Sequence, residues 1–505
     1  MIKRVLIANR GEIAVRVIRA SRELGIESIA VYSEADARAP HVAEADRAVA
    51  IGPAAAADSY LSIPRLLDAV RTTGADAVHP GYGFLSENAR FAAACEETGV
   101  TFVGPPARVI AQMGSKIGAR TLMQAAGVPV VPGDTPDDQT DEGLRRAIER
   151  VGLPALVKAS AGGGGKGMRR VIDASDIGGA TQAARREAMA AFGDGTLYVE
   201  RLVGRPRHVE VQVFADHHGR VDHLFERECS VQRRHQKVIE ESPSPALTPA
   251  VRARMTSAAV TAATAVGYRN AGTIEFLLEN DVGGVGGRDD PRFYFLEMNT
   301  RLQVEHPVTE AVAGVDLVRA QLLVASGEPL PWSDGSLTQR GHAIEARVYA
   351  EDPLQGFLPQ AGRLRLYREP RLPGVRIDAG VAEGSDVSVY YDPMLAKVIA
   401  SAETRDAAIA RLIEALRAYP ILGIRTNIPF LLRIIAHPRF REGDVDTSFL
   451  DGDGAALADI MTDEPPAYVR AAAAMHAESM AGWLTADPES RHSPDPWAAL
   501  RGWRG

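Results

Sequence analysis

From Phe293 the chain runs through four apolar residues, Phe-Tyr-Phe-Leu. It then sets Glu297, Asn299, Arg301, Gln303 and Glu305 at every second position, with Met298, Leu302 and Val304 among the residues between. A β-strand sends alternate side chains to opposite faces, so this period aims a carboxylate, an amide, a guanidinium, an amide and a carboxylate one way. A solvated edge strand can carry the same alternation. Two features argue against that reading. The apolar entry starts the strand in a core, and a face that is merely soluble has no need to mix acid, amide and base. A site for a metal ion and phosphate does. To reach both, the chain is expected to leave strand geometry near Arg301.

A second carboxylate belongs with this segment. Glu275 lies in the apolar stretch Thr273-Ile-Glu-Phe-Leu277, and a buried carboxylate must be paired or bind a cation. Glu275, Glu297 and Asn299 offer hard oxygen ligands on neighbouring strands, a set suited to Mg²⁺ on nucleotide phosphates. The alternative is a buried ion pair with an arginine. The nucleotide reading gains from Ala161-Gly-Gly-Gly-Gly-Lys166-Gly-Met-Arg169, which follows the strand bearing Lys158. Consecutive glycines let backbone N–H groups close on phosphate oxygens. Gly167 stands where a Walker A loop needs Ser or Thr, so this is a different phosphate lid.

Further donors crowd Glu228-Cys-Ser-Val-Gln-Arg233-Arg-His-Gln-Lys237 between apolar runs at Val221–Phe225 and Val238-Ile239. That setting turns several of them into a cleft, where they could meet an oxyanion or a nucleotide phosphate. At the N-terminus Val5-Leu-Ile-Ala8, Gly11 and the periodic Ile13, Ala14, Val17 and Ile18 read as strand, turn and helix. Strands at Ile29–Val31, Ala77–His79 and Phe102–Gly104 follow, and this alternation predicts a parallel doubly wound sheet. Asn9-Arg-Gly-Glu12 lacks the spaced glycines of a dinucleotide fingerprint. The loop His79-Pro-Gly-Tyr82-Gly-Phe-Leu-Ser-Glu-Asn88 sits at a strand end, where open sheets bind ligands.

Composition excludes several classes. The 505 residues carry 57 Lys plus Arg against 65 Asp plus Glu, a net charge of −8 that favours neither nucleic acid nor an anionic membrane as partner. No apolar run approaches the roughly 20 residues of a membrane span. Cys95 and Cys229 are too few for a disulfide framework, and a reducing cytoplasm is expected.

Together these motifs resemble the biotin carboxylases, the ATP-grasp subunits or domains of biotin-dependent acyl-CoA carboxylases. The resemblance runs from Val5 to about Leu450 and includes Ala8-Asn-Arg-Gly-Glu-Ile-Ala14, His79-Pro-Gly-Tyr-Gly-Phe84 and the glycine loop. Gln232-Arg-Arg-His-Gln-Lys237, Glu297-Met-Asn-Thr-Arg301 and Gln303-Val-Glu-His-Pro-Val-Thr-Glu310 complete it. It implies a multidomain α/β and α+β fold. A doubly wound parallel sheet would span 1–114, and an ATP-grasp core 115–331 with a mobile lid at about 131–203. A C-terminal biotin carboxylase domain would span 332–450, with a tail or linker over 451–505.

The resemblance also assigns roles. Lys116, Lys158, Gly164, Gly165, Glu200, Arg201, Leu202, Val203, His208 and His235 would hold ATP, with Glu275, Glu297 and Asn299 on Mg²⁺ (or Mn²⁺). Lys237, Arg301, Gln303, Val304 and Glu305 would bind bicarbonate, Glu305 as its base, and Arg347 and Tyr82 would face biotin. Ala161, Lys166 and Arg201 depart from the common pattern but keep small size or charge. The chain has no Met-Lys dipeptide, so biotin is expected on a carrier protein or domain elsewhere. A carboxyltransferase subunit and a homodimer within a larger complex are the other implied partners. The alternatives are another ATP-grasp ligase, such as a carbamoyl-phosphate synthetase half, and a non-catalytic nucleotide-binding scaffold.

Overall fold

Why the first strand is followed by a helix is visible in one turn of chain. β1 (Arg4–Ile7) is buried from Val5 onward, and Gly11, at φ +67°, turns the backbone into α1 (Gly11–Glu23). The helix buries Ile13, Ala14, Val17 and Ile18 on its apolar stripe. With β2 (Glu27–Ser33), β3 (Arg47–Gly52), β4 (Ala77–His79) and β5 (Thr101–Phe102) it builds a parallel sheet of order β3-β2-β1-β4-β5. Strand order reverses between β1 and β4, and such a switch point opens a crevice beyond the carboxyl ends of the strands. Asn9 and the loop after His79 meet there: the Asn9 amide donates to the carbonyls of Pro80 at 2.8 Å and Tyr82 at 2.7 Å.

The structure, a computed structural model, describes residues 1–160, 167–279 and 291–459. A small antiparallel sheet follows the first, made of β6 (Gly133–Asp134), β7 (Ala155–Ala159), β8 (Arg169–Val171) and β9 (Leu197–Arg201) in the order β6-β9-β7-β8. The segment 161–166 between β7 and β8, with Gly164, Gly165 and Lys166, lies outside the described residues, as do 280–290 and 460–505.

The largest sheet is antiparallel. β10 (Arg207–Ala215), β11 (Val221–Arg233), β12 (Gln236–Ser242), β13 (Asn270–Leu278) and β14 (Phe293–Asn299) pair in the order β14-β13-β10-β11-β12. β15 (His342–Tyr349) then joins β12, and the Met394–Ala402 and Val375–Ala379 strands extend the same sheet. The donor-rich stretch from Glu228 to Lys237 forms the end of β11, the start of β12 and the tight hairpin between them. Arg234 (φ 50°) and His235 (φ 67°) form its turn, the backbone handedness two-residue hairpins use.

Period-2 alternation divides the far end of this sheet into two unlike faces. Glu240, Glu345, Arg347, Lys397 and Asp378 are cross-strand neighbours or two residues apart, so they share one side. Ile344, Ala346, Val348, Ala396, Val398 and Ala400 take the other, and pack on helices Arg405–Arg417 and Ile428–Ala436. The apolar layer is the platform on which the ionic face stands. Short helices as far as Ala458 close it, and Met1–Ala458 forms one compact unit. Phe430 is 1% exposed and meets Phe357 edge-on at 4.8 Å between ring centroids. Phe430→Ala should cost about 3–5 kcal/mol and lower the denaturant midpoint of unfolding clearly. An unchanged midpoint would contradict the packing described.

Candidate functional site

The crevice above β1 and β4 opens into a cavity of about 730 Å³. Its walls come from distant parts of the chain: Asn9 to Glu12, Tyr82 to Phe84, the hairpin tip Arg234 to Lys237, and His208, Glu275, Glu297 and Asn299. Arg301, Gln303 and Val304, then Arg347 and Tyr349, then Tyr390 to Asp392 and Met394 complete it. The alternating segment therefore faces the cavity from Glu297 to Val304, with Glu305 buried behind the lining, and only Glu297 and Asn299 face it from a strand. β14 ends at Asn299, and Glu305 stands as the N-cap residue of the His306–Ala313 helix. Between them the chain turns without a strand partner, with Thr300 N–H on Glu87 Oε1 at 3.0 Å.

Charge in the floor is organised around Lys237 and Glu305. The Lys237 ammonium reaches Glu305 Oε1 at 2.6 Å, Glu210 Oε2 at 2.7 Å and Glu275 Oε1 at 2.9 Å. The other Glu305 oxygen takes Arg347 at 3.0 Å, and Arg347 also grips Glu240 Oε1 through Nε at 2.6 Å. Beneath them Arg227, fully buried, binds Glu210 at 2.5 Å, Gln212 at 2.7 Å and Thr309 at 2.9 Å. Burial alone would raise the Glu305 carboxyl, but Lys237, Arg347 and Arg227 hold it well below the usual carboxylate range. On Glu240 the same effect of burial prevails, pushing it up to about 7 despite Arg347.

A second group lies at the register pair Glu275 and Glu297. Glu275 is well supplied with cations: Lys237, and His208 Nε2 at 2.9 Å. Against the cost of burial these two hold it well below its ordinary value. Glu297 makes no hydrogen bond or ion pair among the described residues, and burial followed by the charge of Glu275 pushes it up. Two facing carboxylates, one of them short of a partner, with the Asn299 amide beside them, fit a hard divalent cation. The Asn299 amide donates to Glu275 Oε1 at 2.8 Å and its oxygen accepts from Arg301 at 3.1 Å. Arg301 is further held by Glu87 at 3.0 Å and Gln303 at 2.6 Å.

Of the other expected residues Tyr82 lines the cavity, whereas Lys116, Lys158, Glu200, Arg201, Leu202 and Val203 lie outside its lining. Lys158 pairs with Glu200 at 2.9 Å, and Glu200 is shared with Arg120 at 2.8 Å. Lys116 starts the adjacent Lys116–Ala125 helix, where burial lowers it and Glu297 pulls it back up. Arg201 turns to Glu279 at 2.8 Å and Tyr294 at 3.0 Å. Leu202 donates its N–H to Pro154, and Val203 packs with Val131 and Tyr294. Tyr82 donates its hydroxyl to Glu12. Glu87, Glu210, Glu240, Arg227, Arg120 and Glu12 were not singled out from the sequence. Glu87 and Glu12 lie within quoted motifs, whereas Glu210 and Glu240 are alternate residues of strands that look like ordinary core.

Comparison with known proteins agrees with this geometry. The family model "Biotin carboxylase, N-terminal domain" matches residues 1–110, "Carbamoyl-phosphate synthase L chain, ATP binding domain" matches 115–333, and "Biotin carboxylase C-terminal domain" matches 345–452. A biotin carboxylase of Halalkalibacterium halodurans is 50% identical over 89% of this chain and 97% of its own length. The methylcrotonoyl-CoA carboxylase subunit alpha of Rattus norvegicus is also 50% identical, and there the match spans 62% of the relative. Among solved structures, the biotin carboxylase domain dimer of Hydrogenobacter thermophilus 2-oxoglutarate carboxylase, in complex with MgADP, ADP and bicarbonate, has a TM-score of 0.85 at 43% identity. It covers 91% of this chain and 99% of its own. Campylobacter jejuni biotin carboxylase in a β,γ-ATP complex has a TM-score of 0.85 at 44% identity, with 90% and 99% covered. The chain belongs to the biotin carboxylase family, enzymes that carboxylate biotin with ATP.

Proposed function

We propose that the cavity activates bicarbonate with ATP through carboxyphosphate and carboxylates biotin presented on a carrier protein or domain, the first half-reaction of an acyl-CoA carboxylase. The observation that carries this reading is Glu305 held between Lys237 and Arg347 in the cavity floor. A carboxylate with two cations on it is ionised but a poor base. Bicarbonate supplies an anion for Lys237 and Arg301, and the ureido oxygen of biotin supplies a partner for Arg347. As those cations turn to substrate, Glu305 loses what depresses it and can take the bicarbonate proton.

The freed bicarbonate oxygen then attacks the γ-phosphorus and ADP leaves. Carboxyphosphate breaks to CO₂ and phosphate, phosphate accepts the proton from the biotin ureido nitrogen, and that nitrogen attacks CO₂. Arg347 stabilises the negative oxygen that grows on the ureido group, the task of a preorganised oxyanion donor. Gln303 and Val304 would orient bicarbonate, and Tyr82 would border biotin. Lys116, Lys158, His208 and His235, with Glu200 to Val203 and the glycines 164 and 165, would hold the nucleotide. A divalent cation on Glu275, Glu297 and Asn299 would neutralise charge on the phosphate oxygens.

We further assign the domain divisions at 114/115, 331/332 and 450/451, a cytoplasmic setting, and assembly as a homodimer with a carboxyltransferase subunit. The three matched segments and the paired likeness to biotin carboxylases and to longer alpha subunits support this arrangement. No helix among the described residues is long and apolar enough to cross a membrane.

Bicarbonate-dependent ADP release that rises with added biotin tests the reaction; release indifferent to biotin would favour another ATP-grasp ligase. Glu305→Gln should lower turnover by about 10²–10⁴-fold while nucleotide affinity stays within a few-fold. Unchanged turnover would remove Glu305 as the base. Glu297→Gln relieves the like-charge pair, so in EDTA the variant should melt no lower than the parent. The thermal shift given by Mg²⁺ plus a nucleotide should shrink sharply, and a full-sized shift would rule Glu297 out as a ligand.

A further inference from the structure

Lys397 is fully buried on the ionic face of the long sheet, directly across from Arg347 on one side and Asp378 on the other. An ammonium there costs several kcal/mol unless each donor is met. Its Nζ donates to the Val304 carbonyl at 2.7 Å, lies 3.1 Å from Glu12 Oε1, and is 3.8 Å from Asp378 Oδ2. Asp378 is already taken by two bonds from Arg376, at 2.7 and 2.8 Å. Glu12 is therefore the principal counter-ion, and its Oε1 also receives the Tyr82 hydroxyl.

The backbone at Glu12 has no room to retreat. A Cβ on Gly380 would stand 2.5 Å from the Glu12 backbone nitrogen and 2.7 Å from Gly11, so the start of α1 rests on the backbone that follows the Val375–Ala379 strand. The segment from Thr300 to Val304 has the opposite character. It lacks a strand partner, and its outer anchors are Glu87 on Thr300 and Lys397 on Val304. The next residue is Glu305.

We propose that Lys397, fixed by Glu12, is a positioning residue for bicarbonate: by holding the Val304 carbonyl it sets the turn that presents Gln303 and Glu305. The inference rests on the function proposed above. The bond joins the strand that faces Arg347 to the loop that bears the base, so one ammonium ties the two cavity walls in register.

The test compares Lys397→Met with the double variant Glu12→Gln/Lys397→Met, in which neither the acid nor the base is left buried alone. For both, kcat/KM is measured for bicarbonate at saturating ATP and for ATP at saturating bicarbonate. Binding of ¹³C-bicarbonate in the presence of Mg²⁺ and a non-hydrolysable ATP analogue is followed by NMR. Misplacing the turn should lower kcat/KM for bicarbonate by about 10²-fold. ¹³C-bicarbonate binding should weaken, while the thermal shift with the nucleotide analogue is retained. If Lys397→Met fails to fold, the double variant decides. Unaltered bicarbonate binding, or a lost thermal shift with the nucleotide analogue, would overturn the assignment and leave Lys397 a packing ion pair. Biotin-independent turnover by the parent would count against the proposed reaction, whereas the binding measurement would still judge the positioning role.

Discussion

The rest of the site depends on the shortage of cations around Lys237. One ammonium serves three carboxylates, Glu210, Glu275 and Glu305, each within 2.9 Å. Charges removed from water are stable only when mutually satisfied, so every other ionic contact follows from dividing that ammonium three ways. Glu210 is rescued by Arg227 from below, Glu305 by Arg347 from the side, and Glu275 by His208. Among the described residues Glu297 of this group makes no hydrogen bond or ion pair, and it lines the cavity where the proposed cation would sit. The resting site is thus balanced except at the point where a substrate complex would bring positive charge.

That balance needs a rigid frame, because the Coulomb energy of a partly buried pair changes steeply with distance. The frame is a single sheet with two chemistries. Strands from the central part of the chain and strands after His342 pair through β12 and β15, so Lys237 and Arg347, about a hundred residues apart, lie on adjoining strands. The apolar reverse face, packed on two helices, fixes where the ionic face stands. On the same face as Arg347, Glu345 has both carboxylate oxygens without a hydrogen-bond partner among the described residues, and burial pushes its carboxyl well above the ordinary range.

The parts legible in the sequence were those whose period or glycine content reports local geometry. Glu297 and Asn299 declared themselves by alternation out of an apolar run, α1 by its apolar stripe, and the parallel sheet by strands separated by helical stretches. The donor-rich stretch after Val221 was legible as a cleft wall, and the hairpin tip from Arg234 to Lys237 lines the cavity. Glu226, Arg227 and Glu228 are buried by pairing with Arg252, Glu210 and Arg207 rather than by being apolar, which hydropathy does not record. The joining of β12 to β15 is invisible for a different reason: nothing local to either strand records its partner. Lys397 looked like an ordinary strand lysine because its counter-ion lies in the first helix, far away along the chain.

Taken with the hairpin, these contacts would let the proposed base, Glu305, and the proposed oxyanion donor, Arg347, trade partners without the floor collapsing. Arg347 is held by Glu240 as well as Glu305, so turning one N–H toward a ureido oxygen leaves the guanidinium anchored. Lys237 likewise keeps Glu210 and Glu275 when it releases Glu305. Glu305 has no such spare in direct contact: the two cations bonded to it, Lys237 and Arg347, are those the proposed substrates would draw away, and it stands where the His306–Ala313 helix begins. A carboxylate that cannot move and must lose its cations gains basicity in place. On the proposed reaction the shared cations would make Glu305 responsive to occupancy, and its place at the start of the helix would keep it facing the same partners.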